Sequence, residues 1–414
     1  MMLRLIIKNL LYKKLSLALV TLTLVLGTAM ISLLLLVEKS ITGKMDNDLR
    51  GIDMVIGAKG SPMQLVLSAI YQTEAPTGNI PLAEVEALRR NPMVDKLIPL
   101  AYGDGYQGSA IVGTTPDYMA LYDARLASGR AFEAPLEVVA GAAIAKKASL
   151  QPGSTFSGLH GGSGEAHDDQ PYTVVGVLTP TGTVIDHLLL TPIASVWAVH
   201  NHATASAPQQ DHKTHEQDHE GHEQHEQEEE EEKEEKEITA ALVTFKTPMA
   251  NITLPRIVNN SARLQAANPV VEIRRLLTLM SIGTDTLRGI ALAIMVVSAL
   301  GIFIALYTRL RERRYELALM RTMGCPRSGL LLMLLGEGVA IAFFGAILGL
   351  AASRLALILL QQNSAARYHL QLSSAPLPAE AWLLAGTVAL GAVAALLPAV
   401  KAFHLNISKT LANG

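Results

Sequence analysis

Long apolar runs occur at four places in the chain, one near its start and three after residue 288. They cover residues 15–37, 289–307, 328–360 and 382–400. A bilayer core about 30 Å thick requires about 20 apolar residues as an α-helix, and backbone groups in lipid must hydrogen bond within their own segment. The pattern therefore predicts four transmembrane helices in a 1+3 arrangement, with the mostly polar residues 38–288 between the first and the second.

The first run also fits the position of a signal peptide. It is much longer than the roughly 7–15 apolar residues of a cleavable core, and no clean small-x-small cleavage site follows it. We therefore expect an uncleaved membrane anchor.

Lys and Arg residues gather on three short segments, which set the predicted orientation. Because such residues near span ends stay on the cytoplasmic side, both termini (1–14 and 401–414) and the 308–327 connection are predicted to be cytoplasmic. Residues 38–288 and the 361–381 loop then lie outside. The basic residues concerned are Arg4, Lys8, Lys13, Lys14, Arg309, Arg311, Arg313, Arg314, Arg321, Arg327, Lys401 and Lys409.

Segment 38–288 has the pattern of a large extracytoplasmic α+β domain. A mixture of short strands and helices between turn signals is typical of that class. Cys325 is the only cysteine and lies in the 308–327 connection, so an intramolecular disulfide is excluded. The predicted strands are 54–56, 94–100, 108–113, 137–141, 172–178 and 240–245, and the predicted helices are 38–50, 82–90, 143–150, 255–268 and 271–286.

Residues 201–237 differ sharply in composition from their surroundings. Asp211–Glu237 contains fourteen Asp and Glu against three Lys and has no aromatic residue, so this insertion is expected to stay outside the folded core. Five histidines step by three or four residues: His212, His215, His219, His222 and His225. Weak, multi-site capture of Zn²⁺, Cu²⁺ or Ni²⁺ is one interpretation; a low-complexity polar loop without a metal is the other.

Three sequence segments together resemble one membrane-protein family. RERRYELALMRTMGCPRSGLLL (311–332), NLLYKKLSLALVTLTLVLGTAM (9–30) and LLPAVKAFHLNISKTLANG (396–414) are similar to conserved stretches of the MacB/FtsX-like ABC transporter permeases, the group that includes the LolC/LolE-like membrane subunits. Cys325 stands where the family usually has Ala, and Ile407 where it usually has Pro.

The resemblance implies a non-catalytic permease subunit of a bacterial inner membrane, with a MacB-like periplasmic core domain. ATP hydrolysis would occur in a separate ATP-binding cassette subunit, and the chain has no Walker A motif. A coupling helix in 308–327 would seat in that subunit through Arg314, Glu316, Leu319, Arg321 and Gly324. A second permease chain, identical or a sister protein, and membrane lipids would complete the assembly. The work would be mechanical, for export or release of a lipoprotein or peptide, with a link to metal as a further hypothesis.

Few charged residues interrupt the apolar runs. Glu337 and Arg354 are the charged residues within them, and for Glu337 both a proton relay and a packed or snorkelling side chain are open. Small residues recur four apart at Gly345/Gly349, Ala385/Ala389 and Gly391/Ala395, which predicts close helix contacts and a dimer.

Two other functional classes compete with the permease interpretation. One is an unpowered membrane anchor that carries a metal sensor or chaperone in its histidine-rich segment. The other is a membrane hydrolase, which is disfavoured because neither G-x-S-x-G nor H-E-x-x-H occurs in the chain.

Overall fold

The computed structural model describes residues 14–159, 171–205, 236–324, 326–368 and 377–403. The chain forms two compact units. We call Met1–Gly43 with Leu277–Gly414 the membrane unit, and Lys44–Leu276 the domain unit.

Among the described residues, four helices are long and apolar enough to cross a membrane. The candidate spans are Ala18–Leu49 (span 1), Pro269–Glu312 (span 2), Arg327–Leu360 (span 3) and Pro378–Lys401 (span 4). The helices that contain them are α1 (Lys14–Leu49), α8 (Pro269–Glu312), α10 (Arg327–Tyr368) and α11 (Pro378–Phe403), and α9 (Arg314–Thr322) follows α8. Span 1 leads into the domain unit, and we call that end of it, together with the ends of the other spans on the same side, the domain end.

Glycines set the close packing of the membrane unit, because a Cβ at each would overlap a neighbouring helix. Gly345 and Gly349 of α10 lie against Leu24 and Thr28 of α1. Gly391 and Ala395 of α11 lie against Ala342 and Gly338 of α10. Two of the three predicted small-residue pairs therefore make close helix contacts, and they make them within one chain. Ala385 and Ala389 are exposed.

The domain unit is built around one large sheet with helices packed on it. In the described part of the chain the strand order is β12-β1-β11-β3-β4-β9-β6-β8-β5, with β7 also on β8, and β10 pairs with β2 separately. The strands are β1 (Met54–Ala58), β2 (Ile80–Pro81), β3 (Val94–Tyr106), β4 (Ser109–Thr114), β5 (Leu126–Gly129), β6 (Glu137–Ala140), β7 (Thr155–Phe156), β8 (Tyr172–Leu178), β9 (Leu189–Pro192), β10 (Glu237–Ile238), β11 (Ala240–Phe245) and β12 (Leu264–Ala267).

The long strand β3 joins two halves of this sheet. Its first half pairs with β11 and its second half with β4, and each half of the sheet carries its own hydrophobic core. The first core contains Met54, Ile56, Leu97, Val243 and Leu254, and the second contains Ile111, Val138, Tyr172, Val174 and Leu189. The helices of the domain unit are α2 (Pro62–Ala69), α3 (Leu82–Arg89), α4 (Pro116–Leu121), α5 (Ala142–Lys147), α6 (Ile193–Ala205) and α7 (Ala250–Asn259).

Both long helices that enter the domain unit connect to neighbouring strands. Residues 50–53 connect α1 to β1, and Asn268 alone connects β12 to α8. β1 and β12 are antiparallel partners, with Val55 opposite Ala267. The two entering helices are thus linked through a single strand pair.

Several predicted boundaries need correction. Segment 255–268 is not one helix: α7 already begins at Ala250, with Pro255 inside it, and Leu264–Ala267 is strand β12. The 361–381 loop is shorter than predicted, because α10 continues to Tyr368 and α11 begins at Pro378. Both ends of the insertion predicted at 201–237 belong to the folded domain: residues 201–205 are part of α6, and Glu237 pairs with Pro81.

Candidate functional site

The short helix α9 lies between spans 2 and 3, within the segment that resembles the family's coupling helix. It is bounded by local backbone breaks. Arg313 leaves helical geometry at φ −102° and ψ 18°, and Gly324 has φ +96°, a left-handed conformation that glycine adopts without steric cost. Pro326 then precedes α10, as proline commonly does at a helix start.

One face of α9 is packed into the membrane unit. Leu317 and Ala318 are buried, and Leu317 belongs to a hydrophobic cluster contributed by three spans. Its other buried members are Ile302, Leu306, Leu310, Leu330, Leu334, Ile341, Ala395 and Ala399. Burial of one leucine side chain contributes about 1.5–3 kcal/mol, so this face fixes α9 against spans 2, 3 and 4.

The opposite face of α9 exposes large apolar side chains. Tyr315, Leu319 and Met323 are exposed, and Met323 retains 74% of its surface. Residues four apart share one face of a helix, so the three residues form a continuous line, which we call the α9 stripe. An apolar line on a surface helix is typical of a protein interaction site.

The five residues predicted to couple α9 to an ATPase occupy different positions on it. Leu319 lies at the centre of the α9 stripe, and Glu316 beside it pairs with Arg313, Nε to Oε2 2.7 Å. Arg321 is half-buried, one turn after Leu317 on the packed side. Arg314 is the first residue of α9, and Gly324 follows its end. The sequence prediction missed Tyr315 and Met323, although their spacing from Leu319 was visible in the sequence.

A buried ion pair lies beside the cluster that holds α9. The side chain of Glu337 in span 3 is 5% exposed, and its Oε2 lies 3.7 Å from Nη1 of Arg309 in span 2. Arg309, in the predicted cytoplasmic connection, lies within α8 with its side chain largely buried. Glu337 is thus paired across two spans rather than extended to an interface.

The predicted metal ligands His212, His215, His219, His222 and His225 lie outside the described residues. Within the described part of the chain, no group of three or more His, Cys, Asp or Glu side chains is arranged to hold a metal ion.

Family comparisons match both halves of this architecture. The model of the MacB-like periplasmic core domain matches residues 17–219, and that of the FtsX-like permease C-terminal domain matches residues 288–407. This chain belongs to the MacB/FtsX-like ABC transporter permeases. It is therefore a non-catalytic, multi-pass membrane subunit with a periplasmic domain between its first and second spans.

Two solved structures similar to this permease are a periplasmic region and an extracellular domain. The periplasmic region of MacB from Actinobacillus actinomycetemcomitans shares 14% identity over 56% of this chain and 95% of its own, with a TM-score of 0.35. The extracellular domain of the noncanonic ABC-type transporter YknZ from Gram-positive bacteria shares 13% identity over 52% of this chain and 99% of its own, with a TM-score of 0.30. No curated protein matched the chain.

Proposed function

We propose that this permease couples ATP hydrolysis by a separate ATPase subunit, docked on α9, to movement of its domain unit. The work serves export or release of a lipoprotein or peptide on the periplasmic side of a bacterial inner membrane. A second permease chain completes the assembly, and both termini lie in the cytoplasm.

The α9 stripe is the observation that carries this proposal. An apolar line of Tyr315, Leu319 and Met323 suits a complementary groove on a partner, because aromatic and Met side chains are enriched at interface cores. The other face of the same short helix is fixed to three spans through the Leu317 cluster. A partner that moves α9 would therefore move the ends of those spans.

Beyond the break at Arg313, a single helix, α8, leads from α9 to the domain unit. α8 has 44 residues, which corresponds to a length of about 66 Å at 1.5 Å per residue. Asn268 alone separates it from β12, so an axial displacement of α8 reaches the sheet with little slack. This supports mechanical transmission rather than a substrate path between the spans.

Charge insertion in the α9 stripe tests the proposal. Leu319→Asp and Met323→Asp are expected to reduce co-purification of the ATPase subunit and its stimulation by the permease, because a carboxylate would be desolvated in an apolar groove. The loss of a central interface contact is about 2 kcal/mol or more, which is roughly 30-fold in affinity.

Met249→Asp is the matched control, since Met249 is an exposed methionine of the domain unit. It should retain full stimulation and binding. If the ATPase subunit is stimulated equally with and without a charge at residue 319 or 323, α9 is not the docking site.

Replacement of Glu316 and Arg321 separates direct contact from helix positioning. Glu316 is exposed and is available to a partner, whereas Arg321 lies on the packed side with Leu317. Glu316→Ala should lower affinity for the ATPase subunit, and Arg321→Ala should lower stimulation at saturating ATPase subunit.

A further inference from the structure

A buried carboxylate at the start of span 4 joins three spans at their domain end. Glu380 is 5% exposed, although Trp382, two residues later, is 80% exposed, as expected for an aromatic residue at a membrane interface. Oε1 of Glu380 accepts a hydrogen bond from Ser32 Oγ of span 1 at 2.7 Å. Oε2 accepts from Arg354 Nη2 of span 3 at 2.5 Å and from the Leu377 N–H at 3.0 Å.

A serine pair closes the same cluster. The hydroxyl oxygens of Ser32 and Ser353 lie 2.8 Å apart, and both side chains are fully buried. Spans 1, 3 and 4 therefore meet in one hydrogen-bonded group, which we call the domain-end clasp (Ser32, Ser353, Arg354 and Glu380). Ser32 and Glu380 are 348 residues apart in the chain.

The clasp is the last step of a regular ladder between spans 1 and 3. Gly345 lies against Leu24, and Gly349 lies against Thr28. A Cβ added at Gly349 would lie 3.0 Å from the Val25 carbonyl oxygen. Ser353 on Ser32 continues this ladder, because each step advances four residues on both helices. Close backbone approach along two turns thus holds the serine pair in position.

The electrostatics oppose opening of the clasp. Separation of the spans would leave Glu380 and Arg354 without each other in a region of low dielectric, and removal of one partner from a buried ion pair is strongly unfavourable. Among the described residues, span 2 makes its own ion pairs with the other spans: Arg288 pairs with Glu38 of α1, and the largely buried Arg309 pairs with Glu337 of span 3.

We propose that the domain-end clasp keeps spans 1, 3 and 4 together as one rigid body throughout the working cycle. Glu380 is a positioning residue in this arrangement. Its function is to fasten span 1 to the hairpin of spans 3 and 4, which no short connection in the chain accomplishes.

A disulfide across the clasp tests this proposal in the full-length permease with its ATPase subunit. Ser32→Cys/Ser353→Cys is introduced in a Cys325→Ala background, together with a protease recognition site within residues 206–235. After cleavage, a disulfide keeps the two fragments together on a non-reducing gel. We expect near-complete cross-linking, equal with and without ATP, and ATP-driven activity that is the same oxidised and reduced.

Rescue distinguishes fastening from any other role of Glu380. Glu380→Gln should lower the melting temperature of the permease in detergent, and the oxidised disulfide should restore it, with reversal by a reducing agent. Glu380→Asp, which keeps the charge but shortens its reach, provides the same comparison if the Gln variant does not accumulate. A disulfide that fails to restore stability refutes the fastening role.

Loss of ATP-driven activity in the oxidised form, with Glu380 intact, would refute the permanently closed clasp. The measurement of ATP-driven activity rests on the proposed coupling function. The cross-linking and melting-temperature measurements do not depend on that function, so failure of the clasp and failure of the ATPase coupling give different results.

Discussion

Replacement of Gly391 by alanine is expected to destabilise the membrane unit, although alanine is the better helix former by about 1 kcal/mol. A Cβ at this position would overlap Ala342 Cβ and lie 3.1 Å from the Gly338 carbonyl oxygen. Overpacking of this kind costs about 1–3 kcal/mol. Gly386→Ala on the same helix is the matched control, because a Cβ there meets no atom within 4 Å.

Thermal unfolding of the purified permease in detergent gives the comparison. Each kcal/mol shifts the melting temperature by roughly 2–4 °C for a unit of this size, so Gly391→Ala should unfold a few degrees below Gly386→Ala. Ala342→Gly added to Gly391→Ala removes the overlapping methyl group and should recover part of the loss. Equal melting temperatures for the two alanine variants would refute close packing between spans 3 and 4.

Three further predictions concern charge and metal. Glu337→Gln should cost about 3–5 kcal/mol by leaving the largely buried Arg309 unpaired, measured by thermal unfolding, and Arg309→Gln added to it should recover much of that loss. Hydrogen bonds from Arg130 and the Glu133 N–H lower the pKa of Glu137 to about 2; their stabilisation is present above the ordinary carboxyl pKa and disappears as the pH falls towards 2, so wild type should lose its melting-temperature advantage over Glu137→Gln across that window. Deletion of residues 206–235 should reduce the zinc bound by the intact permease in a titration, because imidazole is a good zinc ligand; unchanged binding would leave those histidines without a metal role.

Hydropathy located the membrane helices well because the requirement for about 20 apolar residues is local. It placed Glu380 in a loop for the same reason: a charge ends an apolar run, and Ser32, whose hydroxyl donates a hydrogen bond to the buried Glu380 carboxylate, lies 348 residues away in the chain. Arg309 was assigned to the cytoplasmic connection by the same rule, which could not reveal its pairing with Glu337 of the next span.

The periodicity of apolar residues also reports only local structure, and this limited the predictions for the domain unit and for α9. β8 and β11 have the predicted bounds, 172–178 and 240–245, because their patterns are strong. β12 was read as helix, since its strand character depends on pairing with β1, about two hundred residues earlier. On α9, the sequence predicted Leu319 from a resemblance but did not separate its exposed face from the face packed by Leu317.

The attachment of both entering helices to one strand pair determines which forces the domain unit can receive. α1 leads into the start of β1 and α8 leaves from the finish of β12, and Val55 opposite Ala267 places both attachments at the same extremity of a four-pair ladder. Spreading the helices apart would therefore unzip that ladder one pair at a time. Any relative displacement of the two helices therefore reaches the sheet at this one extremity, through a pairing of four residues on each strand.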